Sequence, residues 1–208
     1  MTTLLYVKSN PKKDAESHSA KLANSFLEAY ERKNPSHKIE KLDLYNDDIP
    51  FLDVDVFSAW GKFTIEEELT KSELTKVQRM DELTEQFLRA DKIIVAAPFW
   101  NLGYPPMLKA YIDTICIADK TFHYTEKGPV GLVPDKPFLI IETRGGFYSK
   151  GSAANLEYSQ SYLKTIMGFM GIKNFTSVIA ERLDIDPSKR GEIIQEATND
   201  LIDLSNTF

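Results

Sequence analysis

The sequence predicts an open α/β fold: a doubly wound, five-stranded parallel sheet, order 2-1-3-4-5, with helices on both faces. Two observations predict it. Short apolar runs alternate with helix-length amphipathic stretches along the whole chain. The inner run DKIIVAA, residues 91–97, is apolar without polar alternation, as a strand covered on both faces is. The length of 208 residues and the 42% hydrophobic content suit one domain, residues 1–208, with a sizeable core.

The elements follow in order. TTLLYVK (2–8) is a short apolar strand. SHSAKLANSFLEAYERK (17–33) places Leu22, Phe26, Leu27 and Tyr30 at helical spacing. KIEKLDL (38–44) alternates Ile39, Leu42 and Leu44 and reads as the second strand. The aromatic-rich stretch 45–63 reads as irregular. From Thr70 to Ala90 a helix is expected on Leu74, Val77, Leu83, Phe87 and Leu88. DKIIVAAP (91–98) is the third strand. A double proline then opens a helix running to about Ala118, because proline fits the first helical turn. PFLIIETR (137–144) is the fourth strand, 153–170 a helix ended by Gly171, 175–181 the fifth strand and 186–206 the last helix.

Charge and composition exclude several classes. The net charge is −6 and no Lys/Arg run stands out, so a nucleic-acid or anionic-membrane surface is not expected. One cysteine permits neither an intramolecular disulfide nor a cysteine metal site, and no metal is expected. Cys116 shares a predicted helix face with Leu108, Tyr111, Ile112 and Ile115 and reads as core. No apolar run approaches the ~18 residues of a membrane span, so a cytoplasmic location is the default expectation.

In a sheet of this kind ligands bind beyond the C-terminal strand ends, where strand order reverses. That singles out three loops. The first, 9–21, offers Ser9, then Ser17, His18 and Ser19 where a helix begins. Free N–H groups and a partial positive charge at that start suit a phosphate, although Ser17 also reads as a plain helix cap. The second is PFWNLGYPP, 98–106. Its Phe99, Trp100, Asn101 and Leu102 follow a core strand where large aromatics contribute nothing to the core, so a flat ligand or a loop anchor is expected there. The third is TRGGFYSKGS, 143–152. Gly145 and Gly146 permit close backbone approach and positive φ, and Arg144 offers a partner for a polar heterocycle edge. A flexible tight turn is the plainer reading. Together the three loops match a phosphorylated flat heterocycle, with flavin mononucleotide (FMN) fitting both ends.

The chain resembles the FMN-dependent NADH:azoreductases of the flavodoxin-like quinone reductase superfamily. The resemblance spans nearly the whole chain. It rests on KS followed by SHS, AAPFWNLGYPPMLKAYID, DKTFHYTEKGPVGL (119–132), TRGGFYSKG and MGFMGI (167–172). It implies FMN held by a homodimer with active sites at the subunit interface, and reduction of quinones and azo compounds by NADH or NADPH. Carried over by position, the flavin contacts are Ser9, Ser17, His18, Ser19, Phe99, Trp100, Asn101, Leu102, Thr143, Arg144, Gly145 and Gly146. Many relatives carry Met-Tyr-Asn-Phe at 99–102 and Ser at 143, departures that bear on substrate preference. Tyr124, on a hairpin-like projection, is expected to line the substrate face. The chemistry belongs to the flavin, so the protein need supply no nucleophile or metal. Ping-pong turnover is expected. The rival readings are a flavodoxin-type electron carrier without its own substrate and an interaction protein that has lost the flavin.

Overall fold

Strands β1 (Thr3–Lys8), β2 (Lys38–Asp43), β3 (Lys92–Pro98), β6 (Phe138–Thr143) and β7 (Phe175–Ala180) form one parallel sheet in the order β2-β1-β3-β6-β7. The computed structural model describes residues 1–208. A separate antiparallel hairpin, β4 (Phe122–Thr125) and β5 (Gly128–Gly131), interrupts the numbering. Counting the sheet's own strands, the order is the expected 2-1-3-4-5. The helices are α1 (His18–Lys33), α2 (Val54–Thr64), α3 (Lys71–Arg89), α4 (Pro106–Ile115), α5 (Ser159–Met170) and α6 (Arg190–Leu204).

The continuous apolar runs are explained by coverage on both faces. Successive strand residues point to opposite sides. Leu4 and Tyr6 of β1 join Ile94, Leu139 and Ile141 beneath Phe26 of α1 and Leu201 of α6. Leu5 and Val7 join Val95 and Ile140 beneath Phe87 of α3, Tyr111 of α4 and Met167 of α5. Burying each such side chain contributes ~1.5–3 kcal/mol. Strand β7, at the sheet edge, is only half-buried over most of its length.

Local signals set the ends. Thr70 and Glu73 form a reciprocal capping box at the start of α3. Pro106 stands in the first turn of α4, with Pro105 before it. Gly171 ends α5 at φ 118°, and a Cβ there would lie 2.4 Å from the Val133 carbonyl.

Four expectations are corrected. The 45–63 stretch is not irregular throughout: Val54–Thr64 is α2, capped by Asp53, whose carboxylate accepts the N–H groups of Asp55 and Val56. α5 starts at Ser159 rather than 153, after a short 3-10 turn at Ala154–Leu156, because Glu157 accepts the N–H groups of its first turn. α6 starts at Arg190 rather than 186, after a 3-10 turn at Pro187–Lys189. α4 stops at Ile115, short of Ala118, so Cys116 is its half-buried C-cap rather than a core position, packed against the edge of the larger apolar cluster.

Candidate functional site

The C-terminal ends of β1, β3 and β6 bring the three predicted loops together. Ser17, His18, Phe99, Trp100, Thr143, Arg144 and Gly145 line one cavity of about 310 Å³. Ser9 and Ser19 lie buried nearby rather than on its wall, and Asn101, Leu102 and Gly146 also fall outside it. The sequence reading missed Asn10, Lys12, Leu183, Asp184 and Arg190, which share the wall. Leu183, Asp184 and Arg190 come from the segment after β7, a fourth loop that strand-order reasoning does not single out.

The first loop gathers free donors at the start of α1. Ser17 caps α1, its Oγ accepting the Ala20 N–H at 3.2 Å. The N–H groups of His18 and Ser19 have no acceptor in the chain. They stand at the positive end of a helix of 16 residues. Ser9 is fully buried, and its Oγ has no hydrogen-bond partner. Such an orphan costs ~1–3 kcal/mol unless something supplies a partner. Lys12 and Arg190 add positive charge, although Arg190 also pairs with Asp184 at 3.0 Å. Burial, with Lys21, Arg190 and Lys12 nearby, pushes the His18 imidazole below its ordinary value.

The second loop is a tight turn on unusual residues. Trp100 and Gly103 exchange both backbone hydrogen bonds at 2.9 Å. The two residues between them, Asn101 and Leu102, have φ of 49° and 68°. Positive φ at both central positions is the pattern of a type I′ turn, which favours Asn-Gly. A side chain as large as Leu102 makes that conformation cost ~1–2 kcal/mol. The turn leaves the N–H groups of Asn101 and Leu102 without acceptors.

The third loop differs from expectation. Neither Gly145 nor Gly146 has positive φ. A Cβ on Gly145 would lie 2.3 Å from Asp184 Oδ2, and one on Gly146 would lie 2.7 Å from the Tyr148 ring. These glycines are small because the chain's own side chains press on them. Their N–H groups remain without acceptors in the chain. Arg144 does not offer its side chain outward: it is 1% exposed and ion-paired with Glu142 at 2.5 Å and Glu157 at 3.2 Å. Its guanidinium also lies 5.1 Å from the Phe99 ring centroid.

Tyr124 stands at the hairpin, 74% exposed and edge-on to Phe122. It does not line the cavity. The hairpin's foot is pinned where Gly131 meets the end of α5: a Cβ there would lie 2.4 Å from the Gly171 nitrogen.

The donor set fits a phosphorylated flat heterocycle. The free N–H groups at the start of α1 suit a phosphate, and the two pairs in the second and third loops suit a polar ring edge.

Comparison with known proteins agrees. The profile of a family described by its flavodoxin-like fold matches residues 2–204. An FMN-dependent NADH:quinone oxidoreductase of Geobacillus kaustophilus (strain HTA426) is 46% identical over 211 residues, covering 100% of both chains. The crystal structure of an azoreductase from Bacillus anthracis str. Sterne superposes with a TM-score of 0.94 at 38% identity, covering 100% of each chain. An FMN-dependent NADH-azoreductase from Bacillus anthracis str. Ames Ancestor, solved in complex with FMN, has a TM-score of 0.94 at 36% identity, covering 99% of this chain and 98% of that one. The chain belongs to the family of FMN-dependent NADH:quinone oxidoreductases and azoreductases, built on the flavodoxin-like fold.

Proposed function

We propose that this protein is an FMN-dependent oxidoreductase that moves hydride from NADH or NADPH to quinones and aromatic azo compounds, two hydrides and two protons splitting each azo bond to two amines. The observation that carries the reading is the convergence of unpartnered donors from three loops on one end of the sheet.

Bound FMN supplies the hydride chemistry through its ring. The chain's own residues hold and polarise. The His18 and Ser19 N–H groups, with Ser9, Ser17 and Ser19 hydroxyls, hold the phosphate. Phe99 to Leu102 form the wall along the ring, where the Asn101 and Leu102 N–H groups are donors to its polar edge. The Gly145 and Gly146 N–H groups, which have no acceptor in the chain, would be further donors for negative charge on the ring. Thr143 lines the same cavity. A preformed set of backbone donors needs no reorganisation during turnover, which is what makes such donors effective.

The whole chain, 1–208, acts as one FMN-binding domain in this reading. The working form is a homodimer. Phe51, Phe57 and Phe63 are 58%, 60% and 57% exposed, too much aromatic surface in one region for a lone subunit. Tyr124 then faces substrate across the interface. A cytoplasmic location fits a chain with one cysteine that draws on a nicotinamide donor. Donor and acceptor take turns at one open face, giving ping-pong turnover.

The test is steady-state. The purified protein is expected to carry FMN and to consume NADH with a quinone and no partner protein. Initial-rate plots at several acceptor concentrations are expected to be parallel. Activity that requires an added redox protein would instead make it an electron carrier.

A further inference from the structure

Arg144 is fully buried, and the structure gives it three carboxylates. Its Nε donates to Glu142 Oε1 at 2.5 Å and its Nη2 to Glu157 Oε1 at 3.2 Å, while Nη1 lies 3.8 Å from Glu181 Oε2. Each carboxylate anchors a different piece of the site. Glu142 accepts the Tyr104 hydroxyl at 2.8 Å, fixing the far leg of the 98–104 loop. Glu157 accepts the N–H groups of Ser159 at 2.8 Å and Gln160 at 2.7 Å, setting the start of α5. The neighbouring Tyr158 N–H donates to the Leu102 carbonyl at 3.1 Å, so the same segment grips the strained turn. Glu181 accepts the N–H groups of Tyr148 at 3.0 Å and Ser149 at 3.2 Å, fastening the third loop. Tyr148 in turn packs on Phe99, with ring centroids 4.6 Å apart.

We infer that Arg144 is the positioning residue of this site, holding the Asn101–Leu102 turn and the 145–149 loop through Glu142, Glu157 and Glu181 without itself touching the cofactor. The inference rests on the proposed FMN reading for its consequence, but its geometry belongs to the chain alone. A planar guanidinium reaches three carboxylates in three directions, whereas an ammonium is a single point charge. Two non-glycine residues at positive φ persist only where the surroundings over-determine them. Here the surroundings radiate from one side chain.

The experiment begins with the apoprotein. Arg144→Lys is expected to speed amide hydrogen exchange at Trp100 and Gly103, the two donors that close the turn, by at least about 10-fold, the lower end of the loss of one buried charged hydrogen bond. FMN affinity is expected to fall with it by roughly 10- to 150-fold. Glu157→Gln is expected to move both readouts in the same direction. The double variant is expected to be no worse than Arg144→Lys alone, because the two act as one chain of contacts. Additive losses of FMN affinity with unchanged exchange would make Arg144 a direct cofactor ligand and overturn the inference. If Arg144→Lys fails to fold, Tyr104→Phe and Glu157→Gln carry the test. Exchange at Trp100 and Gly103 that neither variant changes would equally overturn it. A wild-type protein that binds no FMN but shows the exchange effect would remove the functional reading and leave the positioning role standing.

Discussion

Asn10 donates its side-chain amide to Ser17 Oγ at 2.8 Å, and the Ala20 N–H donates to the same oxygen. With both lone pairs engaged, the Ser17 hydroxyl can only donate, and Ser19 Oγ stands 3.2 Å away as its acceptor. An anion at the helix start would compete with Ser19 for that proton, while the cap to Ala20 stays in place.

Ser17→Asp separates the roles. Aspartate caps as well as serine, so apoprotein melting is expected to hold. A carboxylate facing the phosphate is expected to cost more than losing a charged hydrogen bond, itself ~10- to 150-fold in affinity. Ser17→Ala is expected to lower apoprotein stability by ~0.5–2 kcal/mol through the lost cap. Flavin titration and apoprotein melting on both variants check this; unchanged affinity in Ser17→Asp would move the phosphate elsewhere.

Asn101→Pro is expected to break the second loop. Its φ is 49°, and proline demands about −65° and deletes a free donor. A loss of at least ~1 kcal/mol in apoprotein stability and a marked loss of FMN affinity are expected. Trp100→Ala is expected to weaken FMN or shift the ratio of quinone to azo turnover while sparing apoprotein melting. Equal melting losses in apoprotein and holoprotein, at constant affinity, would make Trp100 a packing residue.

Glu73 links two helices, accepting from Ser58 at 2.6 Å on α2, from the Thr70 N–H at 2.7 Å and from Lys62 at 2.9 Å. The Ser58, Thr70 and Lys62 hydrogen bonds hold its carboxyl down to about 2. A depressed folded-state value stabilises above the unfolded value and fades as pH falls through the folded one. Glu73→Gln is therefore expected to be less stable than wild type at pH 7. The gap should narrow from about pH 4.5 toward 2. Melting curves across that range test the sign; a constant gap would remove the charge from the explanation.

Gly131→Ala is expected to displace the hairpin, because the added methyl meets backbone of Met170 and Gly171. Overpacking against backbone costs ~1–3 kcal/mol. Tyr124 moves with the hairpin, so acceptor KM is expected to rise more than NADH KM. Equal effects on both would detach the hairpin from acceptor binding.

Phe57→Glu is expected to yield a monomer by light scattering at micromolar concentration. Phe57 is 60% exposed on α2, so its own subunit's core does not depend on it. A variant that remains dimeric would place the interface elsewhere.

The sheet was legible because its signal is local: the inner strands announce themselves by apolar runs, β2 by alternation and each main helix by its stripe. α2 was not, because Val54, Phe57 and Phe63 are apolar yet exposed, blurring the single face that periodicity needs. Its one clear signal was Asp53, the cap. Loops one and two were found where topology put them. Arg144 was found but its surroundings were not, since Glu157 and Glu181 are distant in sequence and nothing in TRGG points to them. The glycine pair was read for a ligand's approach, whereas the atoms that press on it are Asp184 and Tyr148.

The sheet order also sets a timetable for synthesis. Strand β1 lies between β2 and β3, and Leu4 pairs with Lys92. A ribosome adding ~5–20 residues per second needs about 5–18 s to bridge those roughly 90 residues. Until then β1 presents the apolar edge of Leu4 to Val7 beside β2 alone, an open template for another nascent chain. Glu181, the last carboxylate beside Arg144, emerges later still. A chain halted before that residue also lacks α6, so Leu139 and Ile141 lose the cover of Ala197 and Leu201 on that face of the sheet.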